Sequence, residues 1–78
     1  MKQDETIEVR LFATLRDNRG NIVESQWCDG MDGYALLESL DLAPEDVAIF
    51  LINGKHSPFD SMINVSDIIA LFPPLGGG

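Results

Sequence analysis

The sequence predicts a small α+β domain: a mixed sheet of four or five strands crossed by one main helix. Three observations predict it. Thr6 to Leu11 alternates polar and apolar residues, a helical apolar stripe follows Asp32, and a second apolar run ends on Asn53-Gly54, the dipeptide that most favours a two-residue hairpin turn. Strands followed by one helix and further strands place that helix against a sheet. At 78 residues the chain reads as one domain, residues 1–78, near the size where a single core only just suffices. Its 45% hydrophobic content can fill such a core.

Met1 to Glu5 is polar and is expected to be a flexible N-terminus. In Thr6-Ile7-Glu8-Val9-Arg10-Leu11, Ile7, Val9 and Leu11 share a face, which predicts a half-buried strand with Phe12 extending the run on the other face. Asp17-Asn18-Arg19-Gly20-Asn21 is a turn cluster, after which Ile22 to Trp27 is expected to pair with the first strand as a hairpin. Asp32 can cap a helix from Tyr34 to about Leu40, in which Leu36, Leu37 and Leu40 form the stripe that packs on the sheet. Pro44-Glu45-Asp46 suits a turn. Val47 to Ile52 is continuously apolar, which predicts a central strand with both faces covered. Lys55-His56 is a short return strand, Asn64-Val65-Ser66-Asp67 is the last turn, and Ile68-Ile69-Ala70-Leu71-Phe72 is the final strand.

Composition removes several functions. Five Lys and Arg against 13 Asp and Glu give a net charge of −8. Such a chain lacks the basic footprint needed for nucleic-acid phosphates or an anionic membrane. It suits a partner with a basic docking surface, and equally a surface that is acidic for solubility. No apolar run approaches the ~20 residues of a membrane span, and no secretory apolar stretch follows the polar start, so a cytoplasmic protein is expected. Cys28 is the sole cysteine and His56 the sole histidine, which leaves no disulfide pair and no cluster for a metal. Cys28 is expected to be a small buried side chain.

The most informative segment is the last, Phe72-Pro73-Pro74-Leu75-Gly76-Gly77-Gly78. Glycine there cannot pack or rigidify anything, but it leaves a backbone slim enough for a narrow channel. The prolines lack N–H groups and fix φ, so they end the preceding strand and push residues 73–78 outward as an extended tail. The six residues after Phe72 can span roughly 20 Å at ~3.3–3.6 Å each. On composition alone a glycine end is either a disordered terminus or a working tail.

The body of the chain tips that balance. Val9-Arg10-Leu11-Phe12-Ala13-Thr14-Leu15-Arg16, Ile52-Asn53-Gly54 and Asp67-Ile68-Ile69-Ala70-Leu71-Phe72-Pro73-Pro74 resemble the first strand and its turn, the Asn-Gly turn, and the last strand and diproline of the β-grasp, ubiquitin-like sulfur carriers. The similarity covers nearly the whole chain. It is greatest to the small subunit of molybdopterin synthase (MoaD family), with the thiamine-pathway carrier (ThiS) as a relative. Two residues, Leu75 and Gly76, separate the diproline from Gly77-Gly78, and the diproline after Phe72 favours the molybdopterin-type branch. Val65-Ser66-Asp67 departs from the family's frequent Asp-Gly-Asp, and His56 stands where an apolar residue commonly meets the partner.

The resemblance implies a chain that binds no cofactor and does not catalyse alone. An ATP-dependent adenylating enzyme, using ATP and magnesium, would activate the carboxylate of Gly78, which like any α-carboxyl is ionised at neutral pH. Sulfur from the persulfide of a sulfurtransferase donor would displace AMP and leave a thiocarboxylate. A molybdopterin synthase large subunit would then receive the tail, Pro73 to Gly78, with Gly76 a spacer and Gly77 required to stay slim. Phe12, Phe72 and His56 are the residues the resemblance assigns to partner contact. A thiamine-pathway carrier, a ubiquitin-like modifier that forms isopeptide bonds and a noncovalent interaction module are the alternatives.

Overall fold

The computed structural model describes residues 5–74. Five strands form one mixed sheet: β1 (Thr6–Leu11), β2 (Ile22–Gln26), β3 (Ile49–Ile52), β4 (Lys55–His56) and β5 (Ile68–Phe72). Their spatial order is β2-β1-β5-β3-β4, so the last strand in sequence is the middle one in space. It pairs parallel with β1 and antiparallel with β3, while β1–β2 and β3–β4 are antiparallel hairpins. A helix, α1 (Gly33–Ser39), covers one face, and this is the α+β, β-grasp arrangement expected from the sequence.

The helix starts where the sequence says it can. Asp32 is its N-cap, and the Asp32 carboxylate accepts a hydrogen bond from the Ala35 N–H at 3.0 Å, satisfying one orphan donor of the first turn. Leu36 and Leu37 are buried against the sheet, a burial that stabilises by roughly 1.5–3 kcal/mol each. Gly33 lets the first turn sit close: a Cβ there would lie 2.6 Å from the Phe59 carbonyl oxygen and 2.9 Å from the Phe50 ring. At the other end the Arg19 guanidinium reaches the carbonyls of Leu40 and Asp41, at 3.4 and 3.5 Å, where carbonyl acceptors accumulate.

The inner face of the sheet is built by alternation. Ile7, Val9 and Leu11 from β1, Ile69 and Leu71 from β5, and Phe50 from β3 form the core with Leu36, Leu37 and Ile63. Asn53 and Gly54 join β3 to β4 with φ of 52° and 83°, the two positive values a type I′ turn requires. Asn53 does more than turn. Its side-chain amide donates to the Asp67 carboxylate at 2.9 Å and its carbonyl accepts from the Ile68 N–H at 2.9 Å, tying this hairpin to the start of β5. Asp67 also accepts from the Asn64 N–H at 2.8 Å, so the surviving acid of the last turn organises that turn without a glycine.

Two expectations are corrected and one turn is given its form. The Val47–Ile52 run is a strand only from Ile49, it lies beside the edge strand rather than at the centre, and Ile49 and Leu51 are only half-buried on a face that no described element covers. Apolar continuity therefore came from a core face and an uncovered face, not from two core faces. Cys28 is exposed, because it follows β2 in the bend that reverses at Gly30, where φ is 87°. The turn after β1 contains a short 3-10 helix, Ala13–Arg16, entered through Ala13 with φ of 55°.

Candidate functional site

The root of the tail is fixed by the middle strand. The Phe72 carbonyl accepts from the Ala48 N–H at 2.8 Å on one side, and the Leu71 carbonyl accepts from the Phe12 N–H at 3.2 Å on the other. Both neighbours thus hold β5 to its final residue. Pro73 and Pro74 come next, and without N–H donors they cannot prolong the ladder. They line a cleft of about 420 Å³ together with Thr14, Leu15, Arg19, Leu42, Glu45 and Asp46. Leu75, Gly76, Gly77 and Gly78, the expected tail and reacting carboxylate, lie outside the described residues.

Around this root the outer face of the sheet is apolar. The Phe72 and Phe12 rings stack at 4.2 Å between centroids with only 7° between their planes. Strand pairing explains the meeting: Leu11 lies opposite Leu71 in the parallel β1–β5 ladder, which puts the following residues side by side. Arg16 donates from Nε to the Leu11 carbonyl at 2.9 Å, and its guanidinium lies 5.6 Å from the Phe12 ring centre, in cation–π range.

Registers extend the same face across the sheet. Ile49 lies opposite Phe72, while His56, Leu51, Ala70, Arg10 and Ile22 are successive opposite partners from β4 to β2. Phe12 and Phe72 are therefore in contact, whereas exposed His56 shares their face from the far edge strand. Sequence reasoning had not placed Ile49, Leu51, Arg10, Arg16 and Ile22 here. The signal was present in the second register of β1, where Glu8, Arg10 and Phe12 alternate with the buried residues, but their neighbours depend on which strands pair.

Among the described residues no group of three His, Cys, Asp or Glu side chains could hold a metal ion. None of the described helices is long and apolar enough to cross a membrane. Among the described residues, then, the middle strand ends in a diproline beside an open aromatic face.

The sequence profile of the ThiS family matches residues 9–78, nearly the whole chain. The chain belongs to the ThiS family. It is a ubiquitin-like sulfur-carrier protein of the MoaD/ThiS type. No curated protein matches it significantly. Among solved structures this ThiS-family chain is similar to SAMP1 from Haloferax volcanii, with 25% identity, a TM-score of 0.74, and coverage of 94% of this chain and 99% of the other. A Pyrococcus furiosus protein described as a candidate molybdopterin converting factor, subunit 1, has the same fold at 20% identity and a TM-score of 0.74, covering 91% of this chain and 99% of the other. The Haloferax volcanii HVO 2177 protein shares the fold at 23% identity and a TM-score of 0.77, over 100% of this chain and 91% of the other.

Proposed function

We propose that this chain carries sulfur as a thiocarboxylate on Gly78 and delivers it in molybdopterin biosynthesis, for molybdenum or tungsten cofactor. The observation that carries the reading is that the family match runs through residue 78 and so includes Pro73-Pro74-Leu75-Gly76-Gly77-Gly78. An adenylating enzyme supplies ATP, magnesium and the catalytic groups. A Gly78 carboxylate oxygen attacks the α-phosphorus and pyrophosphate leaves. The terminal sulfur of a sulfurtransferase persulfide then attacks the acyl carbon and displaces AMP. A thiol cleaves the resulting acyl disulfide, taking the donor sulfur into a new disulfide and leaving the thiocarboxylate on this chain.

The chain's own part is mechanical. Gly77 and Gly78 keep the tail slim, since a Cβ would crowd the channel to the acyl carbon. The pinned end of β5 holds the diproline root in place, and Phe12 and Phe72, with His56 at the rim, give the partner a face to dock on. The synthase large subunit is the proposed acceptor, and the diproline after Phe72 supports this branch over a thiamine role by family likeness. Cytoplasmic action follows from the same reading.

A second reading is favoured by the similarity to SAMP1, whose other structure is titled small archaeal modifier protein 1. There the same acyl adenylate would lead, through attack by a lysine amine, to an isopeptide bond. Intact mass after incubation with the adenylating enzyme of the same genome, ATP, magnesium and a persulfide donor separates the two. Replacement of one oxygen by sulfur is the expected result. Ladders on other proteins would favour the modifier, and an unchanged mass with no ladders would leave a noncovalent module. Deleting Gly77 and Gly78 together, which leaves Leu75-Gly76 as the end, should abolish both covalent outcomes at an unchanged thermal midpoint, and a deletion that unfolds the domain would overturn the picture of a working tail.

A further inference from the structure

The outer face carries a second feature beside the aromatic pair. A notch of about 200 Å³ is lined by Arg10, Leu11, Phe12, Arg16, Asn21 and Ile22. Its charge is opposite to that of the molecule: the chain bears −8, yet the only charged side chains in this lining are two arginines. Arg10 gives its Nε to Glu8 at 2.6 Å and Arg16 gives its Nε to the Leu11 carbonyl. The terminal guanidinium nitrogens of both have no hydrogen-bond partner among the described residues. Glu8 compensates one of the two charges, so a cation is left over. The walls beside them are apolar, and Ile22 is 58% exposed.

Guanidinium forks bind carboxylates with two parallel hydrogen bonds, and such bonds strengthen when apolar walls exclude water. We propose that this notch receives an acidic side chain of the adenylating enzyme, seated beside Phe12 with an apolar neighbour against Ile22. The identity of the partner rests on the sulfur-carrier reading. The chemistry of the contact rests on the notch itself. A nucleic-acid phosphate fits poorly, because the remaining acidic surface would repel the rest of a polyanion. The notch adds orientation to an otherwise apolar docking face, since a wrongly turned partner leaves its carboxylate or the arginines unpaired.

Calorimetric titration of the full chain with the adenylating enzyme of the same genome, without ATP, tests this. R10E should weaken binding about tenfold or more, the loss of a charge-assisted contact made repulsive. K55E makes the same charge change on β4, away from the notch, and should cost no more than about threefold, as rim charges do. R10Q should fall between wild type and R10E, and added salt should narrow the gap. Thermal midpoints of the three variants within error of wild type exclude a folding effect. Equal affinities for R10E and K55E, tighter binding by R10E, or no binding by wild type overturns the proposal. Arg10-dependent binding without any sulfur gained in the mass assay supports the notch and overturns the sulfur-carrier reading.

Discussion

The two faces of the sheet are made by the same strands, yet they do different work. On the inner face Ile7, Val9, Leu11, Phe50, Ile69 and Leu71 are all buried, and α1 covers them. On the outer face Phe12, Ile49, Leu51, Ala70 and Phe72 are only half-buried, and no described element lies over them. One residue along β5 changes which world a side chain enters. The inner face therefore holds the fold, and the outer face is apolar surface held in a fixed shape by it. A patch of that kind on a small acidic protein is what the proposed docking surface requires.

Truncation on the inner face gives the largest effect. Ile69 is fully buried on the middle strand, so Ile69→Ala should cost about 2–5 kcal/mol, a large fraction of what so small a domain has. A urea midpoint with an unchanged slope would report it. An effect below about 1 kcal/mol would mean that the sheet's middle is not the stability centre, and the contrast between the faces would collapse.

Phe72, three residues on, belongs to the opposite face. Phe72→Ala loses the stacked Phe12 and part of its burial, together about 1–2 kcal/mol, of which 0.5–1.5 belongs to the aromatic pair. Binding to the adenylating enzyme should fall further than stability does. A variant that unfolds like Ile69→Ala would show Phe72 to be core rather than docking surface.

These faces were unequally legible in the sequence. The inner face announced itself: alternation in β1, the Asp32 cap, the Leu36-Leu37 stripe and Asn53-Gly54 each follow from local chemistry that needs no partner strand. The outer face did not, because Val47 to Ile52 reads the same whether its second side is covered or bare. Only the β1–β5 and β3–β5 registers, set by residues some sixty and twenty positions apart in the chain, put Phe12 on Phe72 and line up Leu51 with Ala70 and Ile49 with Phe72. Asp67 shows the same limit at smaller scale. As a sequence feature it was a remnant of a family turn, whereas in three dimensions it is the acceptor that ties Asn53 to the start of β5. Cys28 was misplaced for a related reason, since the tendency of free cysteines to be buried does not see the bend at Gly30.

His56 gives the smallest expected effect and the finest test of where the outer face ends. It is exposed on the two-residue edge strand β4, opposite Leu51, and its side chain has no hydrogen bond among the described residues. His56→Ala should leave the thermal midpoint within error of wild type, since an exposed edge position carries little packing. Its affinity for the adenylating enzyme decides the question. A loss smaller than that of Phe72→Ala but above that of a distant surface variant would place the boundary of the docking surface at β4, because hot spots concentrate centrally and rim residues contribute little. A loss equal to that of Phe72→Ala would move the centre of the interface away from the tail root, and the pinned end of β5 would then no longer explain how the partner finds Gly78.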